Sequence, residues 1–320
     1  MASSTKEIQL DLSPAIIIYK NSQIQRLWGS PPAPPSHPDP KTLVSSKDIT
    51  ISPQVSARLY LPTLQTPNQK LPILVYYHWG GFVAGSPFQE QEHCYLNILV
   101  SKANVVVVSV DYRLAPEHPL PAAYQDSWTA LQWVASHADE NMTKKDQWLV
   151  DHGDFGKLFI AGDSAGGNIT HNMAMRAGRE KLNADVTILG AIIAFPYFWG
   201  SKTILDMSNE SNMKTLEYRL WEFVHPSADN GIDNPMINPV VDGGLSLKEL
   251  PFLKMFVCTG ERDVMRARAI QYVEALRKSG WVGEVEFVDV ERKNHCFQIV
   301  NPNSEKAIDL IKSFACFINQ

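Results

Sequence analysis

This sequence predicts an α/β fold, a largely parallel sheet with helices on both faces, and three observations predict it. Short apolar runs recur at residues 71–77, 105–111, 158–162, 188–195, 253–259 and 284–290. Runs without polar alternation suit strands that are covered on both faces. Helix-like stretches fall between them, near 88–103, 121–138, 165–181, 266–280 and 303–318, and crossovers of that length join parallel neighbours. At one junction an apolar run passes straight into a helix-like stretch through Gly162-Asp163-Ser164-Ala165-Gly166-Gly167-Asn168, a turn made mostly of small residues.

Taken in order, residues 1–45 do not fit the alternating pattern and are expected to fold over the sheet as part of a cap. The Pro-rich stretch 30–35 within them reads as a surface connection. Residues 46–61 read as a hairpin, with 47–51 and 55–61 alternating on either side of Ser52-Pro53-Gln54. The run 71–77 ends in His78-Trp79-Gly80-Gly81-Phe82. Two adjacent glycines there let backbone N–H groups come close to a developing oxyanion, with the N–H of Ala165 as a third donor. His78 is expected to hold that loop, because a base should reach Ser164 from the far end of the sheet.

The turn around Ser164 would lift its hydroxyl above the sheet at the N-terminus of the next helix, a placement suited to a nucleophile. Its acid and base partners should follow it along the chain in the order Asp or Glu, then His. Asp263 follows the run 252–259 and His295 follows the run 285–290, both at C-terminal strand ends, where open α/β sheets place their sites. His295 would accept the Ser164 proton and Asp263 would fix its tautomer. Rivals are His171 on the helix after Ser164, His225 in a loop-rich insertion, and Glu261 and Asp289 for the acid.

The long stretch 197–250 interrupts the pattern and is expected as the second part of the cap. It is rich in large rings, of which Phe198, Trp199 and Trp221 are expected, with Trp79, to line an apolar pocket; Tyr197, Tyr218 and Phe223 belong to the same group. The competing reading is that these rings pack the cap against the body.

Residues 1–320 offer no second-domain boundary, so one domain is expected. A net charge of −5 with scattered lysines and arginines argues against nucleic acid as a partner. The start of the chain lacks a hydrophobic signal region and no apolar run reaches spanning length, so no membrane association and a cytoplasmic location are expected. Four widely spaced cysteines form no C-x-x-C pair and are expected as buried free thiols, Cys296 beside His295 among them. The expected partner is a small-molecule ester, with no cofactor and no metal, and the protein is expected as a monomer or homodimer.

The set His78–Phe82, Asp111–Glu117, Pro121–Tyr124, Gly162–Asn168 and Asn234–Pro239 resembles the plant carboxylesterase family, in the hormone-sensitive-lipase branch of the α/β-hydrolases. The resemblance covers nearly the whole chain. It implies an eight-stranded α/β-hydrolase fold capped by the N-terminus and an insertion, with Ser164, Asp263 and His295 as triad and Gly80, Gly81 and Ala165 as oxyanion hole. It also implies a serine carboxylesterase acting on small apolar esters of specialised metabolism, an alkaloid methyl ester with later decarboxylation included. Related members eliminate, cyclise or only bind: gibberellin receptors lack the histidine, and 2-hydroxyisoflavanone dehydratases carry threonine at the position of Ser164. Trp79 departs from the family, which usually has glycine there; its ring either shapes the acyl side of the pocket or packs under the cap.

Overall fold

The computed structural model describes residues 7–202, 204 and 215–320. Its strands are β1 (Ile8–Leu12), β2 (Ile16–Tyr19), β3 (Ile24–Arg26), β4 (Ser45–Ser52), β5 (Val55–Leu61), β6 (Leu71–Tyr77), β7 (Val106–Asp111), β8 (Gly153–Asp163), β9 (Ile188–Ala194), β10 (Lys254–Gly260) and β11 (Glu284–Val290). The helices are α1 (Glu90–Ala103), α2 (Ala122–Ser136), α3 (Gln147–His152), α4 (Ala165–Ala177), α5 (Leu216–Val224), α6 (Arg266–Lys278), α7 (Phe297–Val300) and α8 (Glu305–Asn319). Eight strands form the main sheet in the order β11-β10-β9-β8-β6-β7-β5-β4. The expected hairpin supplies β4 and β5, β5 is antiparallel to β7, and the six strands β6 to β11 run parallel.

The apolar runs form strands because each feeds two cores. In β6, Ile73, Val75 and Tyr77 point into the core shared with α2, α4 and α6, while Leu74 and Tyr76 join the one shared with α1 and α8. Strict alternation then leaves no face for solvent, so both sets are apolar. Each fully buried Val, Leu or Ile side chain contributes about 1.5–3 kcal/mol.

The cap region is less regular. Residues 1–45 contain β1, β2 and β3, which pair antiparallel as a separate small sheet. Leu12, Ala15 and Ile16 of that sheet enter the core on the α2 and α4 face. Arg26 ties it down: its Nε donates to the Val83 carbonyl at 2.6 Å, and its Nη2 donates to the Ala115 carbonyl at 3.2 Å and pairs with Glu117 at 2.6 Å. From the second expected cap segment, α5 reaches the same sheet through Arg219, whose Nη2 donates to the Asp11 carbonyl at 2.8 Å. Residues 1–6, 203 and 205–214 of the two expected segments lie outside the described residues. No described helix is long and apolar enough to cross a membrane. Of the four free cysteines only Cys258 and Cys296 are buried; Cys94 and Cys316 are exposed on α1 and α8, correcting the expectation that all would be inside.

Candidate active site

Parallel strands end together, and four such ends carry the residues singled out in the sequence. Gly80 and Gly81 follow β6, Ser164 follows β8, Asp263 follows β10 and His295 follows β11. Ser164 adopts φ 56° and ψ −114°, a conformation that costs a non-glycine residue of order 1–3 kcal/mol. Three hydrogen bonds hold it there. Its N–H donates to the Ala194 carbonyl at 2.9 Å, and its own carbonyl accepts from Asn168 at 2.9 Å and Tyr197 at 3.0 Å. The small residues around it are a packing requirement: a Cβ on Gly166 would lie 1.9 Å from the Tyr77 carbonyl oxygen, and one on Gly162 would lie 2.3 Å from that of Gly166. Only glycine lets α4 seat this closely on β6 and β8. Buried Asn168 completes the elbow, donating to the carbonyls of Tyr197 (3.0 Å) and Met236 (2.8 Å) and accepting from the Tyr124 hydroxyl at 2.7 Å.

The glycine loop is shaped by the same kind of constraint. Gly80 has φ 119° and Gly81 φ 61°, and a Cβ on Gly80 would stand 2.0 Å from the Ala84 carbonyl oxygen. Val83 and Ala84 both donate to the Gly80 carbonyl, at 3.1 and 3.0 Å, which closes the turn. Ala165 is the first residue of α4, so its N–H belongs to the donors that have no carbonyl partner within the helix. His78 is fully buried, donates from Nδ1 to the Trp79 carbonyl at 2.7 Å and stacks on Tyr112 at 4.0 Å. Burial pushes its imidazole down to about 4, so the ring is a neutral brace for the loop.

His295 and Asp263 meet. The His295 Nδ1–H donates to Asp263 Oδ2 at 2.8 Å, and Asp263 Oδ1 accepts the Met265 N–H at 2.9 Å. The Asp263 side chain is wholly buried while His295 remains partly exposed. With Nδ1 engaged, Nε2 is the free basic nitrogen. Burial lowers the His295 pKa, but the Asp263 charge and hydrogen bond, helped by Asp163 and Glu217, outweigh it and leave the imidazole above its ordinary 6.5. The rivals are committed elsewhere. His171 is buried against the Tyr272 hydroxyl at 3.1 Å, His225 packs on Trp221, Asp289 pairs with Arg266 at 2.6 Å, and Glu261 accepts the Arg292 N–H at 2.6 Å.

Ser164 and His295 face one cavity of about 360 Å³, walled also by Trp28, Trp79, Gly80, Gly81, Tyr197, Leu216, Glu217, Leu220, Val264, Met265, Cys296 and Val300. Its size suits a small ligand. Trp79 therefore lines the cavity, with its ring centroid 6.4 Å from that of Trp28. The other three expected pocket residues do not: Trp199 and Trp221 are completely buried in the core, and Phe198 packs on His171 and Tyr272. The ring from this group that does reach the cavity is Tyr197. Ring size was visible in the sequence; the direction each ring takes depends on backbone geometry that no local pattern encodes. Trp28 and Glu217 went unnoticed for the same reason.

Buried Asp163, the last residue of β8 and the neighbour of Ser164, ties that strand end to β6 and α7. Its Oδ2 accepts from the Tyr76 hydroxyl at 2.7 Å, and its Oδ1 accepts from Gln298, which lies on α7 just past His295. Burial pushes this carboxyl up to about 7 against the pull of those hydrogen bonds and of His295.

Residues 74–299 match the family model described as alpha/beta hydrolase fold. The chain is 50% identical to the 2-hydroxyisoflavanone dehydratase of Glycyrrhiza echinata, over 99% of its own length and 100% of that protein's. It is 43% identical to probable carboxylesterase 13 of Arabidopsis thaliana, over 98% of each. Among solved structures, the esterase of Pyrobaculum calidifontis aligns with a TM-score of 0.68 and 30% identity over 85% of this chain and 84% of that one.

Proposed function

The chain belongs to the α/β hydrolase fold family, in its plant carboxylesterase branch, and on that premise we propose that it is a serine carboxylesterase of small, largely apolar carboxylic esters. One observation carries the reading: His295 is held by buried Asp263 with its free nitrogen available, and it faces the same cavity as Ser164 on its strained turn. In the first half-reaction, Ser164 Oγ bonds to the ester carbonyl carbon as His295 Nε2 accepts the hydroxyl proton. The carbonyl oxygen becomes an oxyanion within reach of the N–H groups of Gly80, Gly81 and Ala165. The carbon–alkoxide bond then breaks, and His295 returns the proton to the departing alcohol. In the second half, His295 takes a proton from water, the resulting hydroxide attacks the acyl-enzyme, and Ser164 leaves as its hydroxyl with the proton returned. Asp263 keeps Nδ1 protonated and offsets the imidazolium charge throughout. The substrates proposed are esters of plant specialised metabolism, met in the cytoplasm.

The 50% identity to a dehydratase favours a second reading, elimination of water from a hydroxylated carbonyl compound. There His295 removes the proton next to the carbonyl, the same N–H groups hold the enolate, and as the carbon–oxygen bond breaks His295 returns that proton to the departing hydroxyl, which leaves as water; no bond to Ser164 forms. Initial rates on short-chain p-nitrophenyl esters with wild type and Ser164→Ala separate the two. Hydrolysis lost in the variant supports the esterase. No hydrolysis by wild type, together with 2-hydroxyisoflavanone dehydration that survives Ser164→Ala, overturns it.

A further inference from the structure

One ionisable group on the cavity wall has no part in ester cleavage. Among the described residues that line the cavity, Glu217 is the only carboxylate, and no lysine or arginine stands with it there. It is the second residue of α5, a helix whose start is fixed by Thr215, which accepts the Tyr218 N–H, and by the Tyr197 hydroxyl, which donates to the Glu217 carbonyl. No lysine or arginine among the described residues forms a salt bridge with its side chain. Its charge nevertheless reaches across the cavity, since it contributes to raising both His295 and Tyr197. The neighbouring walls are the indoles of Trp28 and Trp79 and the side chains of Leu216 and Leu220.

A half-buried carboxylate with no salt-bridge partner among the described residues, on a wall whose other described residues are mostly apolar, creates a negative potential that a cation neutralises. Indole faces add to the attraction, because their quadrupole presents negative charge to a cation above the ring. An anionic ligand would meet the same wall as repulsion. We propose that Glu217, Trp28 and Trp79 form a subsite for a positively charged nitrogen, so that the preferred esters carry a protonated amine or quaternary ammonium, and esters bearing a second carboxylate are refused. This rests on the esterase reading for its chemistry and goes beyond it in naming the substrate's charge. The competing role for Glu217 is to stabilise the N-terminus of α5 through the helix dipole. That role would show in stability and leave charge selectivity untouched.

The test compares acetylcholine with its uncharged isostere 3,3-dimethylbutyl acetate, as kcat/KM ratios for wild type, Glu217→Gln and Glu217→Asp. Wild type is expected to favour the cationic ester by about tenfold, the scale of a partly desolvated cation–π and carboxylate contact. The ratio should fall towards one in Glu217→Gln and recover in part in Glu217→Asp. Glu217 is one of the acidic groups that raise His295, after Asp263 and Asp163, so the acid limb of the Glu217→Gln pH profile should also move slightly to lower pH. An unchanged ratio, or a wild type that prefers the neutral ester, overturns the proposal while leaving the esterase reading intact. Should neither ester be cleaved, tryptophan-quenching titrations of Ser164→Ala with choline and 3,3-dimethylbutanol decide the subsite separately. Tighter choline binding that is lost with Glu217→Gln supports it; equal binding overturns it.

Discussion

The two sides of the cavity are built on different principles. On the sheet side, backbone touches backbone: glycines at 80, 162 and 166 stand where any Cβ would come within 2.3 Å of a carbonyl oxygen. On the cap side, the wall is made of side chains, Trp28 after β3 and Leu216, Glu217 and Leu220 on α5, anchored through Arg26, Arg219 and Tyr197. A backbone contact tolerates one residue type, whereas a side-chain wall tolerates many of similar volume. The sheet side is thus suited to keeping one chemistry fixed while the cap side selects what is brought to it.

Substitutions on the two sides should therefore fail differently, and the largest effect belongs to the sheet side. Gly166→Ala forces a Cβ to within 1.9 Å of the Tyr77 carbonyl oxygen, so α4 must shift from the sheet. The expected result is loss of folded protein or a destabilisation of about 3 kcal/mol or more, read by urea denaturation. Gly80→Ala is next. The loop must open around Ala84, and an oxyanion donor is displaced, so kcat on a p-nitrophenyl ester should fall by about 10² to 10³. If Gly80→Ala leaves kcat intact, the sheet side is more plastic than its contacts imply.

Changes to side chains that line or support the cavity, as opposed to its backbone contacts, should retune selection or titration instead. Trp79 belongs to the glycine loop by sequence but contributes its ring to the cavity, so Trp79→Gly is expected to enlarge the space and shift preference towards bulkier acyl groups by about tenfold, the scale set by one or two methylenes in a pocket. Unchanged acyl preference would show that the ring does not govern selection. A smaller effect is expected from Asp163→Asn. Removing this charge takes away one of the influences that raise His295. Since catalysis needs the imidazole neutral, the rise of kcat/KM with pH should lie above 6.5 in wild type and move to lower pH in the variant. A purely structural Asp163 would lower the rate without moving that limb.

The same contrast explains what the sequence disclosed. The buried parallel strands announce themselves as apolar runs, because both of their faces are covered, and β6 and β9 fall where the runs at 71–77 and 188–195 place them. The elbow and glycine loop are legible because backbone contacts demand particular residues. By contrast, β1 to β3 are three to five residues long and mostly half-exposed, so no periodicity identifies them. Trp199 and Trp221 resemble pocket residues in composition yet point into the core, while Trp28, beside a Pro-rich stretch with no pattern of its own, reaches the cavity because Arg26 anchors the preceding strand. Glu217 is an ordinary first-turn acid in sequence and becomes distinctive only through the apolar walls around it.

The most direct test of the central claim, that Ser164 is a nucleophile served by His295 and Asp263, is intact-mass measurement after exposure to an organofluorophosphonate. A single phosphonyl adduct on Ser164 is expected, formed faster as pH rises through the His295 titration, greatly slowed in His295→Ala and absent in Ser164→Ala. Folded wild-type protein that stays unlabelled, or an adduct that persists in Ser164→Ala, would contradict it.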